Sequence, residues 1–234
     1  MNMSFLPRHL DTVASIGWSV ADNICPAALE HLSVPFERAH ESGVFLNLDR
    51  EQARELSSAV AEFFLAIEQA SHETAYANLR LAKVWFQEST SAITQRAKNS
   101  VPFIPHIDGS RYFKIMVYID DVGVADGPMQ IISQAPAVME DVRLRFGPDY
   151  KERGHNQILD VDIYELHSLI GRRGSAVFFD TNTPHTASQI QSKGRRRLVR
   201  FDFSCTGWEN PLVRRDTGRK DLVRRLTRKI VGRR

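Results

Sequence analysis

The chain runs to 234 residues, with 42% apolar and 25% charged side chains, the size and make-up of one globular domain with a sizeable core. That balance excludes a disordered, collagenous or disulfide-stapled protein, and no window approaches the roughly 18 apolar residues of a membrane span. The formal charge of +3 averages two unlike parts, because residues 211–234 hold ten Arg or Lys against two Asp and residues 1–210 are therefore net acidic, so we expect one domain over 1–210 and a basic tail over 211–234.

In chain order, the pattern predicts a short helix over residues 8–16, a strand over 18–21 and a second helix near 26–31. Pro26 suits a first helical turn, where its missing N–H costs nothing. A long amphipathic helix is expected over 48–71, with Asp49 as N-cap and Leu56, Val60, Phe63, Phe64 and Ile67 at helical spacing. Such a helix needs a broad apolar surface to cover, such as a sheet face. Strands follow at 79–88, 113–119, 129–132, 158–164, 176–179 and 197–203, the last with Val199, Phe201 and Phe203 on one face. Residues 137–147 read as helix or loop. Helices first, then many short strands punctuated by Gly, Pro and Asn, argue for a helical layer on an all-β core, a sandwich or jelly roll.

The chemistry concentrates around His106-Ile107-Asp108, just ahead of the 113–119 strand. Two residues apart on extended chain, the imidazole and the carboxylate share a face and can take adjacent positions on a metal. His185 ends the run GSAVFFDTNTPH (174–185) and offers a third ligand. Two histidines and one carboxylate with open positions form the facial triad of non-haem Fe(II) oxygenases. Taken singly, each half also reads as a loop histidine or a solvated aspartate; their order and their placement at strand ends carry the metal reading. His9, His31, His40, His72, His155 and His167 lack such spacing and read as surface or structural groups.

These segments resemble the phytanoyl-CoA dioxygenase family of Fe(II)- and 2-oxoglutarate-dependent oxygenases. The likeness runs over roughly 102–204. It rests on PHIDG (105–109), the strand ending YIDD (118–121), the Gly127-Pro128-Met129 turn, GSAVFFDTNTPH and GRRRLVRFDFS (194–204), with Gly17-Trp18-Ser19-Val20 adding to it. The resemblance implies a mainly β fold with flanking helices around a double-stranded β-helix, a cupin-like jelly roll. It implies Fe(II) on His106, Asp108 and His185, with 2-oxoglutarate and O2 consumed and succinate and CO2 released. Because Asp108 stands where halogenating relatives carry a small residue, it also implies hydroxylation or a related oxidation of a small organic substrate.

The family's 2-oxoglutarate arginine commonly lies eleven residues after the distal histidine, which is Arg196 here. A guanidinium grips a carboxylate bidentately and keeps its charge. Alternation from Val199, Phe201 and Phe203 instead turns Arg197 onto their face, unless a bulge near Gly194 changes the parity. The family spacing favours Arg196, and Arg197 stays open. Lys114 and Tyr118 share a face with Met116 and are further co-substrate candidates. Against this stand an exposed strand start for Lys114 and core filling for Tyr118. The family's Pro-Gly-Ser-His segment is replaced here by Ile132-Ser133-Gln134-Ala135-Pro136, and an asparagine often found after the distal histidine is missing. The identity of the substrate therefore does not carry over.

Leu222, Val223, Leu226 and Ile230 can form one stripe on a basic helix in the tail, open to weak membrane contact, to docking on the acidic body or to plain solvation. Nucleic acid is not expected. With two cysteines, Cys25 and Cys205, and an opening interrupted by Arg8, His9 and Asp11, we read neither a disulfide framework nor a signal peptide and expect a cytoplasmic protein. A second reading, a non-catalytic metal-binding β-barrel acting as a sensor or binding module, would need no buried arginine near position 196.

Overall fold

The computed structural model describes residues 4–37, 43–96, 98–99, 101–140, 157–159, 165–191 and 194–205. Helix α1 (Leu6–Ile16) buries Leu6, Leu10 and Val13 and stops at Gly17, whose left-handed φ of 92° suits a residue without Cβ. The Gly17 N–H closes the helix on the Val13 carbonyl at 2.8 Å. Strand β1 (Trp18–Ala21) follows as expected. Helix α2 (Pro26–Glu37) runs past the expected end at residue 31, through Pro35, because Leu32, Pro35 and Phe36 continue its buried face.

The single helix expected over 48–71 is two, α3 (Arg50–Leu56) and α4 (Ser58–Ser71), and an unexpected strand, β2 (Gly43–Leu48), leads into them. Asp49 caps α3 in a capping box with Gln52. Ser57 breaks the run with extended backbone, and its hydroxyl accepts from the Val60 N–H at 3.1 Å. Apolar spacing continues through the break, which is why periodicity alone does not show it.

The remaining elements are β3 (Arg80–Thr90), α5 (Ser91–Arg96), β4 (His106–Ile107), β5 (Phe113–Tyr118), β6 (Met129–Ile131), a 3-10 turn (Pro136–Met139), β7 (Gln157–Ile158), β8 (His167–Leu169), β9 (Ala176–Asp180), β10 (His185–Ala187) and β11 (Arg195–Ser204). The expected helix or loop beyond residue 140 and most of the expected strand over 158–164 lie outside the described residues. One sheet has the order β1-β9-β5-β11-β3-β2 and the other β7-β4-β10-β6-β8, and every described pairing is antiparallel. This is the expected helix-flanked jelly roll.

The six-stranded sheet has two different faces. Phe113, Ile115, Val117, Phe178, Val199, Phe201 and Phe203 point outward into a core shared with α1, α2 and α4; Phe63 meets Phe201 edge-on at 5.2 Å. Met116, Tyr118, Val177, Phe179 and Leu198 point inward against Met129, Ile131 and Leu169 of the second sheet. At one side Trp18 of β1 packs on His167 of β8 with ring centroids 5.7 Å apart. At the other, β3 is paired on both edges, and its outward Val84 and Phe86 are fully buried. Its inward Lys83, Trp85 and Gln87 are only half-buried. Among the described residues, the apolar cluster between the two sheets includes no side chain of β3.

A candidate metal centre between the sheets

The two histidines are cross-strand partners: His185 of β10 faces His106 of β4 in register, with Ile131 of β6 next in the row. Ile131 faces inward, so both imidazoles do too, and their ring centroids lie 4.5 Å apart. Each ring has its Nδ1 on the carbonyl two residues earlier, His106 on Ile104 at 2.7 Å and His185 on Thr183 at 2.8 Å. A carbonyl only accepts, so Nδ1 carries the proton and Nε2 of each neutral ring keeps its lone pair. Both Nε2 atoms stand 3.5 Å from Asp108 Oδ1. Donor atoms on one octahedral face lie about 3 Å apart at the ~2.1 Å bond lengths usual for nitrogen and oxygen ligands. The three side chains, with all donor atoms within 4.8 Å of one another, fit a facially bound divalent ion.

Electrostatics favour an ionised Asp108 and a neutral His185. Burial alone would raise Asp108, but Lys114 and the two imidazoles outweigh it and hold the carboxyl well below its ordinary range. Burial, then the neighbouring His106, lower His185, which favours the neutral ring a metal needs. Lys114 is not at an exposed strand start. It is 7% exposed and faces inward, its ammonium on Asp108 Oδ2.

Farther along the same inward face lies Arg196, 4% exposed, with no hydrogen-bond partner for its Nε. Burial lowers its pKa and the nearby Tyr118 opposes that shift, yet a guanidinium stays protonated in proteins. A buried cation with no carboxylate against it among the described residues calls for an anion. Tyr118 itself donates to the Leu169 carbonyl at 2.7 Å.

The strand alternation that pointed to Arg197 has a different outcome. β11 pairs without a shift from Arg195 to Asp202, and its irregularity falls at Asp202/Phe203 rather than near Gly194. Val199, Phe201 and Phe203 do share a face, but it is the helix-covered one. Arg197 lies with them, its guanidinium bonded to Asp120 (Nε to Oδ2, 2.8 Å) and 5.8 Å from the Phe36 ring. No bulge is needed for Arg196 to face inward.

Two groups were not anticipated. On the inward face of β3 and β11, Arg200 sits 5.0 Å over the Trp85 ring, and the buried Asp202 accepts from Trp85 Nε1 at 2.7 Å and pairs with Arg200 at 2.9 Å. Their alternation with Phe201 and Phe203 was the available signal. The second is a part-buried pair, Arg111 with the fully buried Asp180, between the segments that lead to the ligands. An aspartate ending the apolar run Ala176–Asp180 hinted at it.

A helix-flanked antiparallel jelly roll with an inward histidine pair and carboxylate defines the mononuclear iron oxygenase class. The sequence matches the phytanoyl-CoA dioxygenase family over residues 38–198, more than two-thirds of the chain, and the protein belongs to that family. It is accordingly a 2-oxoglutarate-dependent oxygenase. The fold is also similar to solved structures. Iron-bound HygX from Streptomyces hygroscopicus is 18% identical with a TM-score of 0.56, covering 86% of this chain and 87% of that one. EvdO2 from Micromonospora carbonacea var. aurantiaca, complexed with 2-oxoglutarate, is 16% identical with a TM-score of 0.54, covering 87% and 94%. The epimerase SnoN, in complex with Fe3+, alpha ketoglutarate and nogalamycin RO, is 16% identical with a TM-score of 0.54, covering 86% and 84%. No curated protein sequence matches the chain.

Proposed function

We propose that His106, Asp108 and His185 hold Fe(II) and that Arg196 binds the far carboxylate of 2-oxoglutarate, in an enzyme that oxidises a C–H bond of a small organic substrate. The observation that carries this is the convergence of two Nε2 lone pairs and one carboxylate oxygen on a single inward point. Neutral imidazoles and one carboxylate leave Fe(II) with net charge +1, which suits a dianionic co-substrate. When bound, iron supplies the coupling of 2-oxoglutarate decarboxylation to O2 activation: one oxygen atom enters succinate, the other the product, and CO2 leaves. The chain's own part is binding, orientation and exclusion of water.

Several residues take those roles. Lys114 steadies the Asp108 oxygen turned away from the histidines. Arg196 fixes the co-substrate in the dry end of the interior, and Tyr118 borders it. The substrate lies along the inward face of β3, against the half-buried Trp85 and Arg200, where a planar ring and guanidinium edge suit a partly apolar molecule with an acceptor group. The bound ligands of HygX, EvdO2 and SnoN support this reading. A purely structural metal barrel has no use for the unpaired charge of Arg196. Cys25 and Cys205 are not joined in a disulfide, consistent with a reducing, cytoplasmic setting. No described helix is long and apolar enough to cross a membrane.

The test is anaerobic addition of Fe(II) and 2-oxoglutarate, read by the visible charge-transfer absorption of the chelate. Absorption is expected in the unaltered protein and not in Asp108→Ala or Arg196→Ala. The same band at the same ligand concentrations in both variants would sink the assignment.

A further inference from the structure

We infer that Arg111 and Asp180 are positioning residues that hold Asp108 in register with the two histidines. This rests on the iron reading above and extends it to side chains outside the ligand set. The histidines lie in paired strands and need little help. Asp108 lies outside the ladder, and its place is set by how the loop after β4 meets the loop after β9.

That meeting is built around Asp180. Its side chain is fully buried and accepts from Arg111 Nε (3.2 and 3.1 Å), Arg111 Nη2 (2.8 Å), the Tyr76 hydroxyl (3.2 Å) and the Asn182 N–H (2.9 Å). Arg111 follows Asp108 by three residues, and Asp180 precedes His185 by five. Between them the backbones are laced. The Asp108 N–H donates to the Thr181 carbonyl at 3.2 Å, the Thr181 N–H to Tyr112 at 2.9 Å, and the Tyr112 N–H to the Thr181 hydroxyl at 2.8 Å. On the outer side Glu140 receives both Arg111 Nη1 (3.2 Å) and Asn182 Nδ2 (2.9 Å).

A bidentate guanidinium on a carboxylate fixes angle as well as distance. Rotating either loop would break the fork and leave Asp180 buried without its main partner. The pair therefore couples the position of Asp108 to that of His185. A lysine at 111 would keep the charge and the fold while losing the fork. Partners outside a metal's ligands commonly contribute tenfold or more to affinity.

The experiment measures Fe(II) affinity anaerobically by competition with a chromophoric chelator in full-length protein, alongside the 2-oxoglutarate charge-transfer band and Tm. Arg111→Lys is expected to weaken iron binding about tenfold and to shift the band, with little change in Tm. Arg50→Met, which removes the distant Arg50–Glu68 pair (2.8 Å), serves as a stability control: Tm should fall and iron affinity stay put. Arg111→Lys with iron affinity within about twofold of the unaltered protein, or losing no more affinity than Arg50→Met at equal Tm loss, would overturn the inference and leave the iron reading intact. Unaltered protein that binds no iron would overturn both.

Discussion

Arg196 and Arg197 are chemically identical neighbours with opposite fates, and strand alternation is the whole cause. One side chain points into the interior, buried, and has an unpartnered Nε; the other reaches Asp120 near the surface. Arg196→Met should therefore raise the dissociation constant for 2-oxoglutarate about ten- to hundredfold, as loss of a buried charge-assisted carboxylate contact does, with Tm unchanged or higher. Arg197→Gln should leave that constant alone and cost about 1 kcal/mol or less, as partly exposed pairs do. Titration calorimetry with the iron-loaded proteins checks both, and an effect at Arg197 instead of Arg196 would reverse the assignment. At this scale the sequence was informative where spacing alone decides geometry. The two-residue spacing of His106 and Asp108 marked both as ligands, although Asp108 lies just past the end of β4 and is placed by the loop around Thr181. The arginine was harder: periodicity identified an apolar face on β11, but could not tell whether helices or the opposite sheet would cover it.

Elements were legible where one local signal acted alone. β1, β3, β5 and β11 follow from their apolar β-branched and aromatic runs, and the α3 cap at Asp49 from its side chain. The break at Ser57 was not, because helical periodicity passes through it undisturbed and only backbone conformation marks it. Nor was the role of Gly17, which depends on chain far away. It ends α1 in left-handed backbone, and a Cβ there would lie 2.5 Å from the Thr183 side chain and 2.6 Å from the Gln134 carbonyl. The Thr183 carbonyl in turn receives His185 Nδ1. Gly17→Ala thus carries the ordinary left-handed penalty of roughly 1–2 kcal/mol and a clash that pushes on the His185 loop. Calorimetry should show Tm lower by about 5 °C, and the anaerobic titration weaker iron binding in the same variant. A stability loss with unchanged iron affinity would mean the loop absorbs the clash without moving His185.

At the level of the whole molecule, helices followed by punctuated short strands were enough to read a helix-covered jelly roll, because each layer must bury its apolar face on another. The basic tail had no such constraint: residues 206–234 lie outside the described residues, and its proposed helix with them. The described fold reaches its last strand at Ser204, where β11 is paired on both sides, with β3 and β5. Every side chain assigned to iron or 2-oxoglutarate lies between residues 106 and 196. A chain shortened to residues 1–211 loses ten Arg or Lys and two Asp, so its net charge changes sign from positive to negative. That change should remove any attraction to anionic vesicles, while the charge-transfer band, both ligand affinities and Tm (to within about 2 °C) stay as in the full chain. Sedimentation with neutral and phosphatidylserine-containing vesicles, run beside the anaerobic titration, separates the two consequences. Loss of the band on shortening would place tail residues in the site and require the iron pocket to be redrawn around them.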